Sequence, residues 1–242
     1  MIEFQHVTKE YADGAVAVHD LSLVCESHET TVLVGTSGSG KTTALRMVNR
    51  MVDPTSGKVL WDGTDVAAMD PVKLRRSIGY VIQEGGLFPH WSVAENISTV
   101  PRLEGVDKEE ARQIALELMD LAGLSRALAD RYPSQLSGGQ RQRVGVARAM
   151  ANRPLVLLMD EPFGALDPLV RRDLQDQIIR IRDEFGVTIL LVTHDMNEAM
   201  RLGQKIVVMQ EKGRIVQEGT PEEILERPAS PFVSSLIEAG RF

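Results

Sequence analysis

The segment at residues 35–42 constrains this chain more than any other part of the sequence. It reads Gly-Thr-Ser-Gly-Ser-Gly-Lys-Thr and fits the pattern G-x-x-x-x-G-K-[ST]. An apolar run at residues 31–34 precedes it, and a helix-forming run at residues 44–48 follows it. A strand before the glycines and a helix after them are the context in which this pattern forms a phosphate-binding loop. The segment therefore predicts a loop that holds a polyphosphate.

The residue types of this phosphate loop explain how it would bind its ligand. Gly35, Gly38 and Gly40 allow the backbone to curl, so that successive N–H groups converge on one point. Lys41 adds a positive charge at the start of a helix whose dipole points to the same place, and Thr42 offers a hydroxyl ligand to Mg²⁺. A flexible turn rich in glycine and serine is the alternative interpretation. The candidate contacts are Gly35, Thr36, Ser37, Gly38, Ser39, Gly40, Lys41, Thr42 and Thr43.

Two adjacent carboxylates follow a buried strand. The apolar run at residues 155–159 delivers Asp160 and Glu161 at its C-terminal end, where open α/β sheets place their ligands. Asp160 suits Mg²⁺ through a water, and Glu161 is placed to act on a water beyond the γ-phosphate. A strand that ends in an Asp-Glu-Pro turn is the alternative interpretation. Beside a phosphate loop, the pair favours a nucleotide hydrolysis site.

A second glycine-rich helix start lies at residues 136–140, Leu-Ser-Gly-Gly-Gln. As local structure it is a capping box formed by Ser137 and Gln140. As a functional surface, a helix N-terminus with serine and glycine amides can bind a second phosphate. One nucleotide does not obviously need both surfaces from one subunit, so we expect a symmetric dimer in which each chain closes on the ATP of the other.

The hydrophobic pattern predicts strands around a stretch of helices. Alternating apolar residues at 2–8 and 16–24 indicate two half-buried strands. Buried runs at 155–159 and 188–192 predict a parallel sheet, because they are joined by a long helix that begins at Asp167 and ends before Gly186. A hairpin turn at Lys212 and Gly213 follows, and Thr220 caps a closing helix.

The stretch at residues 85–131 has a helical pattern. Ser92 and Asp107 begin capping boxes, and the second of these leads into an apolar stripe. That stripe consists of Ile114, Leu118 and Leu121. Aromatic residues near the start of this stretch, Phe88 and Trp91, predict either a docking surface for a partner or the core of the helical insert.

Composition excludes several classes of function. The net charge of −7 argues against a surface that coats nucleic acid, so no nucleic-acid partner is expected. Cys25 is the single cysteine, which excludes an internal disulfide and favours a small buried apolar role in a reducing compartment. The N-terminus lacks a signal pattern, and no run approaches the ~18 apolar residues of a membrane span. Any membrane function is therefore expected to act through a partner.

Several motifs follow one another in a recognisable order. They are the phosphate loop, Gln83, residues 136–140, Asp160 with Glu161, residues 165–167 (Ala-Leu-Asp), and His194. In this order they resemble ATP-binding cassette (ABC) ATPases over nearly the whole chain. The resemblance implies an α/β fold of the P-loop NTPase class and ABC type, with a mostly parallel core sheet, an N-terminal antiparallel β-subdomain and an inserted α-helical subdomain. It implies one domain, with the core at residues 1–84 and 153–242 and the helical subdomain at 85–152.

The resemblance also implies roles for single residues. Tyr11 would stack on adenine, His194 would hold the γ-phosphate or the attacking water, and Gln83 would touch Mg²⁺ and relay to a transporter partner. Ser137 and Gly139 would contact the γ-phosphate on the opposite subunit. The implied catalytic residues are Glu161, His194 and Gln83. The implied Mg²⁺ ligands are Thr42, Gln83 and Asp160. The further nucleotide contacts that the resemblance implies are Tyr11, Val16, Ser137, Gly138, Gly139, Gln140 and Asp167, and Asp167 would lie at the dimer seam. An exposed turn aromatic is the alternative for Tyr11, and a hydrogen-bonded histidine at a helix start is the alternative for His194.

A narrower resemblance lies at residues 74–83, 86–90 and 96–97, which are similar to the ATPase subunits of osmoprotectant importers. Those importers take up glycine betaine, carnitine, choline or related quaternary amines. The resemblance implies a homodimer at the cytoplasmic face of the membrane that hydrolyses ATP for an integral-membrane permease, together with an extracytoplasmic solute-binding protein. Many such relatives continue into paired CBS domains, for which we expect no room here. A soluble ABC ATPase of DNA repair or translation is the alternative class.

Overall fold

The structure is a computed structural model that describes residues 1–83, 86–164 and 166–240. Ala165, in the predicted Ala-Leu-Asp motif, and the predicted subdomain boundary at residues 84 and 85 lie outside these ranges. The chain divides into two compact units. The first unit comprises Met1–Arg75 and Thr188–Phe242, and the second comprises Arg76–Val187.

An antiparallel sheet forms the N-terminal part of the first unit. Its strands are β1 (Ile2–Glu10), β2 (Val16–Cys25), β4 (Ser56–Trp61) and β5 (Thr64–Asp65), in the order β2-β1-β4-β5. The apolar alternation places Phe4 opposite both Leu23 and Val59, so one face of the sheet is buried. Burial also raises the pKa of the Cys25 thiol to about 12, which fits an unreactive core position.

A second sheet in the first unit carries the phosphate loop. Its strands are β3 (Thr30–Gly35), β8 (Thr188–Thr193), β9 (Lys205–Met209) and β10 (Ile215–Gly219). Strand β3 is parallel to both β8 and β9, and β10 is antiparallel to β9. Strands β3 and β8 are buried along their whole length, and each has an apolar centre, at residues 32–34 and 189–192. The helices of this unit are α1 (Lys41–Val48), α8 (Met196–Leu202), α9 (Pro221–Glu226) and α10 (Pro231–Ala239). Helix α2 (Pro71–Ser77) contains the point at which the chain passes from the first unit to the second.

The second unit contains two parallel strands and the helical stretch. The strands are β6 (Ile78–Val81) and β7 (Val156–Asp160), and the helices are α3 (Val93–Ile97), α4 (Thr99–Leu103), α5 (Lys108–Leu121), α6 (Gly138–Met150) and α7 (Pro168–Phe185). Helix α6 packs on both β6 and α5, so these strands belong to the same compact unit as the helices. This unit is therefore larger than the predicted helical subdomain at residues 85–152, which remains a prediction.

Helix α5 buries a face other than its apolar stripe of Ile114, Leu118 and Leu121. The residues inside are Ala111, Ala115 and Met119, and the two small alanines allow a close approach to α3 and α6. Ile114 and Leu121 are only partly buried and line an open groove. Leu118, the middle residue of the predicted stripe, also lines that groove and packs at the edge of the core. The periodicity was helical, as predicted, but α5 has two apolar faces and only one of them is covered.

The predicted helix starts are present. Ser92 and Glu95 form a complete capping box at α3, and this hydrogen bonding lowers the pKa of the Glu95 carboxyl, with a further contribution from nearby Arg102. Asp107 caps α5 by accepting hydrogen bonds from the Glu109 and Glu110 amides, which is an N-cap rather than the predicted capping box. Asp167 caps α7, and Thr220 caps α9. No helix within the described residues is both long and apolar enough to cross a membrane.

Candidate functional site

The phosphate loop has the geometry that its sequence predicts. Gly38 and Gly40 take φ angles of 79° and 90°, in the left-handed region that only glycine enters readily. The Lys41 ammonium is 5% exposed and donates to the carbonyl oxygens of Gly35 and Thr36, both at 2.8 Å. It also lies 3.2 Å from the Ser39 hydroxyl. The positive charge is therefore held on the loop.

Helix α1 begins at this loop without a side-chain cap. Its N-cap is Gly40, which has no side chain to cap the helix, and its first turn contains no acidic residue. No carboxylate of this turn therefore competes with an anion for the positive end of the helix dipole. Thr36, Ser37 and Gly38 are exposed, and a Cβ on Gly38 would meet nothing within 4 Å. The loop thus has open space on the side where a phosphate could bind.

His194 lies at the same sheet edge as the phosphate loop. The parallel register pairs Val34 with Thr193, so Gly35 and His194 each follow this pair by one residue. The His194 side chain is exposed. Asp195 caps α8 by accepting a hydrogen bond from the Asn197 amide at 2.8 Å, so His194 directly precedes a helix start, as the alternative interpretation holds. The position fits both interpretations.

Tyr11 lies in the turn between β1 and β2. The turn is closed by hydrogen bonds from the Tyr11 amide to the Ala15 carbonyl and from the Gly14 amide to the Tyr11 carbonyl, both at 2.9 Å. The ring is 42% exposed, and the Lys9 ammonium lies 5.3 Å from its centroid. Val16 follows this turn as the first residue of β2. An exposed ring can stack on a base, although a surface aromatic would look the same.

The two carboxylates lie at the C-terminal end of β7 in the second unit. Asp160 is 8% exposed, and Glu161 has a φ of 46°, which is uncommon for a residue other than glycine. The register of β6 and β7 pairs Val81 with Met159, so Gln83 and Glu161 both lie two residues beyond this pair. The second unit therefore brings the predicted Gln83, Asp160 and Glu161 to one sheet edge.

A cavity of about 240 Å³ lies beside Glu161. Glu161, Pro162 and Gly164 form one part of its wall. Gly138, Arg141 and Gln142, at the start of α6, form another part. The structure thus brings the predicted hydrolytic carboxylate and the second glycine-rich helix start to one cavity of the second unit.

Helix α6 is capped by its own residues. The Gln140 amide donates to the Ser137 hydroxyl oxygen at 3.2 Å, and the Ser137 amide donates to the Gln140 side chain at 2.9 Å. A Cβ on Gly139 would lie 2.4 Å from Val170, so only glycine permits this approach of α6 and α7. The Val170 amide in turn donates to Asp167 at 3.1 Å. Val170 therefore lies against Gly139 and is hydrogen-bonded to Asp167. The sequence does not predict this link between Gly139 and Asp167.

Phe88 and Trp91 form an exposed aromatic pair. Their rings lie 4.5 Å apart between centroids, and the side chains are 46% and 38% exposed. The Arg148 guanidinium lies 5.9 Å from the Phe88 ring centroid, and burial lowers the pKa of this arginine. The pair does not form the core of the helices, which instead contains Val93 and Ile97. Of the two interpretations, the exposed position fits the docking surface.

The predicted Mg²⁺ ligands are divided between the two units. Thr42 belongs to the first unit, whereas Gln83 and Asp160 belong to the second. The described part of the chain contains no group of three or more histidine, cysteine or acidic residues suited to a metal ion. A site built by protein carboxylates alone is therefore not present in that part. A magnesium ion at a nucleotide site is bound mostly by phosphates and waters with one or two carboxylates, so it does not require such a group.

The chain belongs to the ABC transporter family, since the sequence pattern of that family matches residues 18–164. The dimeric structure of a post-hydrolysis state of the ATP-binding cassette MJ0796, bound to ADP and Pi, is similar to this fold with a TM-score of 0.84 and 34% identity. That match covers 91% of this chain and 99% of the other. The predicted fold of an ABC cassette is confirmed.

Two transport proteins are similar to the chain in sequence. The carnitine transport ATP-binding protein OpuCA of Listeria monocytogenes is 50% identical over 241 residues, which span 100% of this chain and 60% of that protein. The glycine betaine uptake system ATP-binding protein YehX of Escherichia coli is 52% identical over 233 residues, which span 96% of this chain and 75% of that protein. The predicted resemblance to osmoprotectant importer ATPases is confirmed. The chain covers only about 60% of the length of OpuCA.

Proposed function

We propose that the chain hydrolyses ATP to power the uptake of an osmoprotectant through a separate membrane permease. The phosphate loop carries the first part of this proposal, because Lys41 is held on the loop and α1 begins there without a side-chain cap. The second part is supported by the names of OpuCA and YehX, which state carnitine transport and glycine betaine uptake. A quaternary amine is the class of solute that we propose.

The ATP would be held by groups at both of its ends. Residues 35–43 would bind the phosphates through backbone amides, the Lys41 charge and the dipole of α1. Tyr11 would stack on adenine and Val16 would pack beside it, since the ring is exposed at the start of β2. His194 would contact the γ-phosphate or the attacking water, because it follows β8 at the sheet edge where the loop begins.

Oxygen donors from Thr42, Gln83 and Asp160 would hold Mg²⁺. Hydroxyl, amide and carboxylate oxygens are the ligands that this ion prefers. Asp160 fits the role because it is a carboxylate at the C-terminal end of β7, where open α/β sheets place their ligands. When bound, the ion would neutralise charge on the phosphate oxygens.

Glu161 would accept the proton of the attacking water. It lines the cavity at the end of β7, and that cavity has room for water. A general base in this position contributes about 10²–10⁴-fold to a rate. Gln83, at the same sheet edge, would orient the water or the ion and transmit the state of the site to the permease.

Two copies of the chain would bind ATP between them. The start of α6, with Ser137, Gly138, Gly139 and Gln140, would contact the nucleotide held by the other copy, and Asp167 would lie at the seam. The contact of Gly139 with Val170, which the Asp167 cap also engages, supports a single surface for these residues. The MJ0796 cassette is a dimer bound to ADP and Pi.

The importer would place this homodimer at the cytoplasmic face of the membrane. An integral-membrane permease would dock on the exposed Phe88 and Trp91 pair, because exposed aromatic residues commonly anchor interfaces. An extracytoplasmic solute-binding protein would deliver the quaternary amine. OpuCA and YehX both carry transport names, which favours this class over a soluble ATPase of repair or translation.

Purification of the tagged chain from membranes tests the proposal. A permease and a solute-binding protein should copurify, and the complex reconstituted in vesicles should take up labelled glycine betaine, carnitine or choline only with internal ATP. The Glu161→Gln variant is the matched control and should copurify equally well without uptake. Recovery of ribosomal or DNA-repair proteins with no membrane protein would reject import in favour of the soluble class.

A further inference from the structure

A tight turn of the first unit contacts the back of the phosphate loop. Residues 210–214 connect β9 to β10, and the turn is closed by a hydrogen bond from the Gln210 amide to the Arg214 carbonyl at 2.9 Å. The Gly213 amide points out of this turn and donates to the Ser39 carbonyl at 3.0 Å. Ser39 is fully buried, and Gly213 is buried as well. The bond is therefore protected from water. A hydrogen bond in such a buried place is stronger than one exposed to water.

Strand β2 supports the loop from a second direction. A Cβ on Gly40 would lie 2.4 Å from the Ala17 carbonyl oxygen, 3.1 Å from Val18 and 3.3 Å from the Gly213 nitrogen. A Cβ on Gly213 would in turn lie 2.8 Å from Val18. Both glycines have positive φ angles, 90° at Gly40 and 74° at Gly213. The loop, β2 and the turn thus pack so closely that neither glycine position can accept a side chain without movement.

We propose that residues 210–214, here called the brace turn, position the phosphate loop for its nucleotide, with Gly213 as the positioning residue. The Ser39 carbonyl and the Gly40 amide belong to one planar trans peptide, so they point in opposite directions. The bond from Gly213 fixes the carbonyl toward the brace turn, and the Gly40 amide consequently points away from it. Gly40 immediately precedes Lys41 and the start of α1. The brace turn therefore sets the direction of an amide that the proposed ATP site needs, without touching the nucleotide.

This inference rests on the proposed ATP binding, and a matched pair of variants tests it. Gly213→Ala adds a methyl group against Val18 at a φ of 74°, whereas Gly63→Ala adds one at a φ of 77° with nothing within 4 Å. Both variants carry the backbone cost of a positive φ, but only the first disturbs the brace turn. Fluorescent mant-ATP should bind Gly213→Ala about tenfold more weakly, as for the loss of one orienting hydrogen bond, and Gly63→Ala within about twofold of the original chain.

Further measurements separate positioning from general damage. Steady-state hydrolysis by Gly213→Ala should show a raised KM with kcat changed less, and the added change Val18→Ala should recover part of the affinity, because Val18 is the nearest obstacle. Hydrogen exchange of the unaltered chain at residues 210–214 should slow when ATP is added, which needs no variant to fold. Equal mant-ATP affinity of the two alanine variants, or exchange at the brace turn that ATP does not change, would overturn the inference. Failure of the unaltered chain to bind mant-ATP would instead contradict the proposed function from which it starts.

Discussion

Helices α1 and α6 both begin in glycine-rich segments, and they begin in opposite ways. Helix α1 starts at Gly40 with no side-chain cap among the described residues, and Lys41 brings a positive charge to the same turn. Helix α6 starts at Ser137, which forms a complete capping box with Gln140. Similar glycine-rich sequences thus produce one helix end prepared for an anion and another that is satisfied within the chain.

This difference in capping indicates different functions for the two helix starts. The Ser137 oxygen accepts the Gln140 amide, which leaves its hydroxyl hydrogen as a donor for another group. Helix α6 can therefore add a contact to a phosphate that is already bound, but it offers less than α1 to a nucleotide arriving first. We expect α1 to determine the affinity of a single chain for ATP, and α6 to matter when two chains meet.

The largest effect is expected on hydrolysis, from a change at Glu161 that leaves both helix starts unaltered. Glu161→Gln keeps the size of the side chain but removes the base, so phosphate release should fall about 10²–10⁴-fold while mant-ATP binds with unchanged affinity. Phosphate release and nucleotide binding are measured on the same preparation. Hydrolysis at the original rate would remove Glu161 from the proposed mechanism.

The second largest effect tests whether the start of α1 binds the phosphates of ATP. Lys41→Ala removes hydrogen bonds from a charged group, worth about 1.5–3 kcal/mol, so mant-ATP should bind about 10- to 150-fold more weakly. Lys73→Ala, at an exposed position of α2, is the control and should bind normally. If Lys41→Ala binds as well as this control, α1 does not hold the phosphates.

Tyr11→Ala tests the adenine end of the nucleotide rather than its phosphates. Loss of base stacking, typically about 1–3 kcal/mol, should weaken mant-ATP binding about 5- to 150-fold without altering the binding of inorganic polyphosphate. Tyr132→Ala removes a comparably exposed tyrosine from the second unit and should have no effect on affinity. Unchanged affinity in Tyr11→Ala would leave Tyr11 as a surface aromatic of the turn.

The smallest effect is expected at α6. Ser137→Ala should lower the free energy of unfolding by ~1 kcal/mol, the usual cost of a lost N-cap, and should leave mant-ATP affinity of the single chain unchanged. Ser92→Ala removes the matching capping box of α3 and should cost a similar amount. Only Ser137→Ala should weaken ATP-dependent dimer formation. Equal dimer formation by the two variants would limit Ser137 to its capping role.

Local chemistry made much of this structure predictable from the sequence. The phosphate loop, the capping boxes at Ser92 and Ser137, and the glycine that ends α7 each depend on residues within a few positions of one another. Gly186 has a φ of 61°, as a helix-ending glycine requires. Such features need no knowledge of the rest of the fold.

Contacts between distant parts of the chain could not be predicted in the same way. The sequence shows why Gly139 permits a helix start, but not that Val170 lies against it. It shows a hairpin turn at Gly213, but not that this turn contacts Ser39. The sequence shows an apolar stripe on α5 but not its buried face, because Ile114 and Leu121 are more apolar than Ala111, although alanine allows closer helix packing. Packing partners, rather than the hydrophobicity of single residues, decided these positions.

Sedimentation velocity of the Glu161→Gln variant tests the claim that the start of α1 on one chain and the start of α6 on a second chain bind the same ATP. Because this variant should bind ATP without hydrolysing it, it should sediment as a monomer without nucleotide and as a dimer with Mg²⁺ and ATP. The same variant with Lys41→Ala added should remain a monomer in both conditions. A chain that binds ATP yet stays monomeric, or dimerises equally well without nucleotide, would contradict the claim.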